Sequence, residues 1–279
     1  MIKATIAKVF THKGTGGNKT AVVFKEKNMI IDGISLAKKL EISEVVCIEE
    51  NNRDLTFRFY TPEREIDLCG HATLGALKVL KGKGFWGEFK VNTRVGKITV
   101  GIFNDLYMNQ VSPKYYGNID KKLIAKCLGV ECKDFLENMD VDIVSTGVKD
   151  AIVPLRSLEV LNNIKVDLEA IKEVSKEYEI VGFHVFTLDT IDKESSAHCR
   201  NFAPLYGIDE EAATGTSNCA LACYLYKNRI IEAGKISTFE QGNIINSPSR
   251  IQVCIKDAEK EKLKVMLSGE VILYDEIYL

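Results

Sequence analysis

The sequence predicts an α+β protein assembled from two similar halves, and three observations lead there. Short β-branched runs dominate both halves of the 279-residue chain. Two segments break that rhythm in the same way, each running from a short apolar stretch through a turn with glycine into a helix. These two segments lie about half the chain apart, as an internal duplication requires. The composition agrees: 46% apolar and 27% charged residues with a formal charge of −2 exclude a disordered, collagenous or coiled-coil chain. The missing basic surplus argues against a phosphate-tracking nucleic-acid binder.

Taken in order, Ile2 to Phe10 and Ala21 to Phe24 read as strands separated by the glycine-rich turn GTGGN. A helix is expected near Ser35 to Leu40. SEVVCIEE and LTFRFYTP supply two further strands, the second with alternation at Leu55, Phe57 and Phe59. Glu88 to Val100, alternating at Phe89, Val91, Thr93 and Val95, reads as one half-buried antiparallel strand. REIDLCGHATLGALKVLKGKG passes through Cys69-Gly70-His71 into a helix stopped by Gly82 and Gly84. DEEAATGTSNCALACYLYKN does the same through Thr214-Gly215-Thr216. VDIVSTGVKD, EIVGFHVFTLD and SRIQVCI are strands of the second half. The turn-like stretch Ser112 to Asn118 is the expected boundary.

The opening MIKATIAKVF is interrupted by Lys3 and Lys8 and lacks the apolar core of a signal peptide. The uncharged run Ala212 to Tyr226 is too short and too polar to span a bilayer. Cysteines 47, 69, 127, 132, 199, 219, 223 and 254 are scattered without a CxxC pair. They read as reduced small hydrophobes of a cytoplasmic protein. GTGGNKT (Gly14 to Thr20) fails as a P-loop because TAVVF after it is strand-like. Cys219 and Cys223 read as helix-face packing rather than metal ligands.

A turn with glycine entering a helix gathers unpaired N–H groups and the positive end of the helix dipole at one point. Two such turns suit a small carboxylate or a developing enolate. Acid/base candidates near them are His71, Glu210 and Glu211, and further off Glu44. Cys69 matches Thr214 across the halves, and threonine cannot act as a thiolate base, so a symmetrical two-cysteine racemase is disfavoured. A Cys69–His71 pair is also disfavoured, since residues two apart at a helix start point in different directions.

At these residues the sequence resembles the PhzF-like proteins of phenazine biosynthesis, within the diaminopimelate epimerase-like fold. KVFTHKGTGGNKTAVVF, ISEVVCIE, LCGHATLGA, STGVKDAIVPL, RNFAPLYGIDEEAATGTSN and QGNIINSPSRIQV carry the resemblance in order over most of the chain. It implies two pseudo-symmetric domains, each a curved, mostly antiparallel sheet or barrel around a central helix. Residues 1–115, with 268–279 returning to them, form the first, 116–267 the second, and the active site lies in the cleft between. It further implies a homodimeric, cofactor-independent isomerase without a metal, acting on a small-molecule carboxylate. Glu44 falls on the family's catalytic glutamate and His71 on its active-site histidine. Glu211 stands where the family has aspartate. Gly70, Gly215, Thr216, Cys69, Thr214 and Asn18 form the implied substrate-binding set. Glu44 is expected to have its pKa raised toward neutrality by apolar neighbours such as Val45, Val46 and Phe57. Asn246-Ser247 stand where a Gly-Arg pair is common, and Lys19 replaces a proline. These departures leave open a binding protein without catalysis and an amino-acid epimerase or racemase.

Overall fold

The computed structural model describes residues 2–26, 29–51, 54–258 and 262–279. The chain divides into two compact units, Met1–Asn109 with Ser268–Leu279, and Gln110–Leu267. The first begins with β1 (Lys3–Val9) and β2 (Asn18–Lys25), paired antiparallel, Ala4 opposite Val23. Helix α1 (Gly33–Leu40), N-capped by Asp32 onto the Ser35 amide, returns the chain so that β3 (Glu44–Asn51) runs parallel to β2. Parallel neighbours need such a crossover. β4 (Asp54–Tyr60) and the two-residue β5 (Glu65–Ile66) follow antiparallel, and the chain then enters α2 (Gly70–Gly82). β6 (Gly87–Thr93), β7 (Gly96–Ile102) and β8 (Leu106–Gln110) complete the unit's first pass, with β6 parallel to β4.

The stretch expected as one strand from Glu88 to Val100 is a hairpin of β6 and β7, Thr93 opposite Gly96. Burial alternates over the first residues of β6, whereas β7 is buried continuously from Val100 to Ile102 and Val95 lies exposed in the turn. Gly96, at φ +103°, adopts a backbone that few side chains allow and reverses the chain there.

The second unit repeats this plan. It comprises β9 (Lys114–Ile119), α3 (Lys121–Leu128), β10 (Val141–Ser145), β11 (Lys149–Pro154), α4 (Leu158–Asn163), α5 (Leu168–Glu177), β12 (Gly182–Thr187), β13 (Ala197–Ala203), β14 (Ile208–Glu211), α6 (Gly215–Lys227), β15 (Ile236–Gln241), β16 (Ser249–Ala258) and β17 (Lys262–Ser268). β18 (Val271–Tyr278) rejoins the first unit beside β1. Strand order is β18-β1-β2-β3-β4-β6-β7-β8 in the first unit and β9-β10-β11-β12-β13-β15-β16 in the second. The parallel pairs β2–β3 and β4–β6 recur as β11–β12 and β13–β15. Ser112 to Asn118, expected as a linker turn, instead contributes most of β9. Its pairing with β10 skips a residue beside Gly117 (φ +97°), a bulge that lets the turn-like composition join a ladder.

Each unit is a curved sheet with one helix enclosed by it. α2 packs against β1, β2, β3, β7 and β18, and α6 against β10, β11, β12 and β16. Nearly every residue of α2 from His71 to Leu80 is buried, and so is every residue of α6 from Ser217 to Leu225. A helix buried on all sides needs mostly small or apolar residues, and both sequences comply, while buried Asn218 and Tyr224 of α6 bond the Thr214 and Asp140 carbonyls. Leu74, Leu77 and Leu80 are fully enclosed, each worth about 1.5–3 kcal/mol of burial. Gly75 marks the closest approach, since a Cβ there would lie 2.6 Å from Thr20 Cγ2 on β2. Gly75→Ala is therefore expected to cost about 1–3 kcal/mol through overpacking, read as a lower denaturant midpoint at unchanged m-value. An unchanged midpoint would show that Thr20 yields freely.

Candidate active site

The chemistry-bearing side chains of the first unit gather at the amino end of α2. Cys69 is the N-cap residue, with extended backbone (φ −138°, ψ 122°), and its carbonyl accepts from Thr73 Oγ1 at 2.7 Å. His71, the second helical residue, is 6% exposed. Glu44 is the first residue of β3, its carbonyl held by Thr20 Oγ1 at 3.0 Å. These elements put His71 between two anion-forming groups. Cys69 Sγ lies 3.3 Å from Nδ1, and Glu44 Oε2 lies 3.1 Å from Nε2. The latter is an ion-pair distance off the hydrogen-bonding direction, and Oε2 is otherwise enclosed without a hydrogen bond.

Cys69 and His71 therefore meet, contrary to the expectation that residues two apart diverge. That rule holds inside a helix, whereas Cys69 is still extended and its side chain turns back over the first turn.

The electrostatics correct a second expectation. Burial is the largest influence on the Glu44 carboxyl and pushes it up, but the His71 charge, the close His71 contact and the Ser43 hydroxyl together outweigh it and hold the pKa below its ordinary value. Burial opposes charge on His71 too, yet Cys69 and Glu44 on either side hold the imidazole well above its usual value. The resting state is an enclosed carboxylate–imidazolium pair. Among the described residues, Glu44, Cys69 and His71 also form a group of three metal-type donors, their atoms within 4.8 Å of one another.

In the second unit, β14 ends at Glu211 and the chain reaches α6 through Thr214, its extended N-cap residue. Thr214 Oγ1 donates to Glu211 Oε2 at 2.7 Å instead of capping the helix. Buried Gln241 ties this corner: its Nε2 donates to the Glu211 carbonyl (2.8 Å) and to Thr214 Oγ1 (3.0 Å), and its Oε1 accepts from the Thr214 amide (3.2 Å). Asn218 Nδ2 donates to the Thr214 carbonyl (2.9 Å) and to Gln241 Oε1 (2.8 Å). Behind it His184 sits 3.3 Å from Asn218 Oδ1 and 3.0 Å from Asn201 Oδ1. Burial lowers its pKa to about 4, so it stays neutral. Thr146 Oγ1 donates to the Thr216 carbonyl at 3.1 Å.

The expected residues thus fall into two groups, Glu44 with Cys69, Gly70 and His71, and Glu211 with Thr214, Gly215 and Thr216. Asn18 opens β2, opposite Val9, after the glycine turn. Glu270 pins that turn, accepting from Thr11 Oγ1 (2.5 Å) and the Gly14 amide (3.0 Å). Glu210, a candidate by proximity, is committed to Arg200 through two hydrogen bonds of 2.9 and 2.7 Å. Cys219 and Cys223 are buried helix-packing residues. The sequence reading did not single out Gln241, Asn218 or His184. One signal was available: Thr73 and Asn218 both lie four residues past the matched N-caps and both bond the N-cap carbonyl.

With the fold and both helix ends described, comparison with known proteins places the chain in a class. The phenazine biosynthesis-like protein family, PhzC-PhzF, matches residues 7–276, and the chain belongs to that family. An "uncharacterized isomerase" of Bacillus subtilis, YfhB, is 30% identical over 275 residues, covering 94% of this chain and 93% of its own. The crystal structure of a Bacillus anthracis phenazine biosynthesis protein of the PhzF family superposes with a TM-score of 0.89 at 26% identity, covering 99% of this chain and 98% of that one. A probable proline racemase from Agrobacterium radiobacter shares the fold (TM-score 0.64, 12% identity, 100% and 93% covered). No helix among the described residues is long and apolar enough to cross a membrane.

The sign of the ion-pair linkage is fixed by these shifts. His71 titrates above its ordinary 6.5, so its contribution is whole below pH 6.5 and is lost as pH rises through the folded value. Glu44 titrates below 4.5, so its contribution is present above pH 4.5 and lost as pH falls through the folded value. Glu44→Gln removes one flanking anion and leaves burial less opposed. The His71 pKa is expected to fall, as read by NMR of the imidazole, and Cys69→Ser to lower it likewise.

Proposed function

We propose that this protein is an isomerase that moves a proton on a small carboxylic acid without a cofactor, with Glu44 as general acid/base. The observation that carries this reading is the enclosed Glu44–His71 pair, 3.1 Å apart, at the amino end of a buried helix. Family membership and the isomerase naming of relatives such as the Bacillus subtilis protein support it.

The step follows from the charges. Glu44, ionised in the resting state, takes a proton from a carbon made acidic by conjugation with the substrate's carboxylate. The C–H bonding pair moves into the conjugated system as an enolate-like anion. Glu44 then returns the proton to a different carbon, the double bond shifts, and no atom is gained or lost. A depressed pKa makes Glu44 a weaker base but a readier donor on the return step. The His71 imidazolium stabilises the anion, and its charge is already enclosed, so little reorganisation is needed when negative charge develops. In the first unit the amides at Gly70–His71 are suited to a carboxylate, and in the second those at Gly215–Thr216, with the Thr216 hydroxyl, are given the same role and Glu211 that of orienting an amine or hydroxyl. A homodimeric state and a cytoplasmic location belong to the same proposal, and sedimentation velocity reads the first.

The contact between Cys69 Sγ and His71 favours a second reading, in which a thiolate paired with imidazolium carries the proton at a single α-carbon. Incubation in D2O with a panel of cyclic amino- and hydroxy-carboxylic acids, followed by mass spectrometry, separates the two. On the first reading deuterium enters with a double-bond shift, and Glu44→Gln slows entry by roughly 10²–10⁴-fold while Cys69→Ser does not. The reverse pattern, with exchange confined to the α-carbon, establishes the second. Exchange unaffected by either substitution overturns both.

A further inference from the structure

The repeat places a buried acid in the second unit that the proposed chemistry leaves unused. In the first unit Thr20 of β2 pairs in parallel register with Glu44 of β3. The corresponding pair in the second unit is Asp150 of β11 with Gly182 of β12. Gly182 has no room for an acid, because a Cβ there would lie 1.9 Å from the Phe202 carbonyl oxygen. The acid stands one strand over, on Asp150, which is 1% exposed. Its Oδ2 accepts from Ser217 Oγ at 2.7 Å. Ser217 is the third residue of α6, next to the Gly215–Thr216 amides.

We propose that Asp150 is a positioning residue for the α6 end of the site: it anchors Ser217 and sets the charge behind the Gly215–Thr216 amides, which receive an anionic ligand better when Asp150 is neutral. This rests on the carboxylate-holding role given to those amides above. The surroundings make the charge adjustable near neutral pH. β10 opposes Asp150 with Val144, β12 with Gly182 and α6 with Ser217, none of them ionisable. Glu211 is the charged group that bears on it, and His184, further along β12, is neutral. Burial, reinforced by the Glu211 charge and opposed by the Ser217 bond, raises Asp150 to about 7. Ionised Asp150 opposes an anion at the helix end by Coulomb repulsion, on the order of a two- to ten-fold loss of affinity.

The test uses the full chain and two readouts. In the free protein, the Thr216 and Ser217 backbone amide shifts are followed by NMR from pH 5 to 9. They are expected to titrate together near pH 7 and to stop doing so in Asp150→Asn. Ser217→Ala, which removes the bond favouring the ionised form, moves the midpoint up. Glu211→Gln, which removes the opposing charge, moves it down, and these two variants decide the matter if Asp150→Asn does not fold. Amides that do not titrate, or midpoints indifferent to both substitutions, overturn the proposal. Calorimetric binding of anthranilate, a planar amino-carboxylate, is the second readout. Its Kd is expected to rise two- to ten-fold between pH 6 and 8 in the wild type and to stay flat in Asp150→Asn. A purely structural Asp150 would change stability and leave that profile unaltered, which also overturns the proposal. If anthranilate binds at no pH, the carboxylate-holding role fails, and the amide titration alone decides the coupling.

Discussion

Enclosing a helix on every side within one curved sheet is the constraint from which the rest of this structure follows. Such a helix holds mostly small and apolar residues, with Gly75 admitting β2 closely, and among the polar groups it does bury, Thr73, Asn218 and Tyr224 each bond a backbone carbonyl. Polar chemistry is then pushed to the helix ends, where the first N–H groups have no partner within the helix. At both amino ends the N-cap residue leaves that vacancy unfilled, since neither Cys69 nor Thr214 caps with its side chain. The fold builds its candidate site by burying everything else.

The two helix ends resolve the cost of polar burial in opposite ways. In the first unit the solution is charge against charge: an imidazolium held between a thiol and a carboxylate, each sustaining the other's ionised form against burial. In the second it is a network of side-chain amides, in which Gln241 and Asn218 satisfy the backbone around Thr214, Thr214 holds the half-buried Glu211 carboxylate and His184 is kept uncharged. Neighbouring Glu240 shows what a fixed buried charge needs. It takes hydrogen bonds from His198 and from the Ile191 and Asp192 amides, lies 3.2 Å from Arg250, and sits at about 2 despite burial. Asp150, with one hydroxyl and a like charge nearby, lacks that support.

The α+β class and the duplicated strand–turn–helix segments were legible in the sequence because hydrophobic period and glycine placement are local properties. Glu44, His71 and the two glycine turns were legible for a different reason, through motifs that resemble a family. What escaped depended on pairing. The break at Arg94–Val95 needs knowledge that Gly96 adopts a positive φ, and the strand within Ser112 to Asn118 needs β10 as a partner. The Cys69–His71 contact escaped because the first helical residue cannot be fixed to one position from sequence, and one position separates an extended N-cap from a helical residue. The direction of the Glu44 shift escaped because burial is readable from neighbours in sequence, while the opposing charge comes from another element.

Duplication explains why these sites differ while the framework does not. Strand order and the pattern of parallel pairs are held by ladders that tolerate many side chains, so both units retain them. Side chains at matched positions are under no such common constraint. Thr20 and Glu44 became Asp150 and Gly182 on the same parallel pair, and the approach of Phe202 leaves no space to restore an acid on β12. Cys69 and His71 likewise correspond to Thr214 and Thr216, which cannot hold a charge. The first unit therefore keeps a carboxylate and an imidazole paired at its helix end, each favouring the other's charge. The second keeps hydroxyls, side-chain amides and two carboxyl groups, Glu211 held by Thr214 and Asp150 held by Ser217.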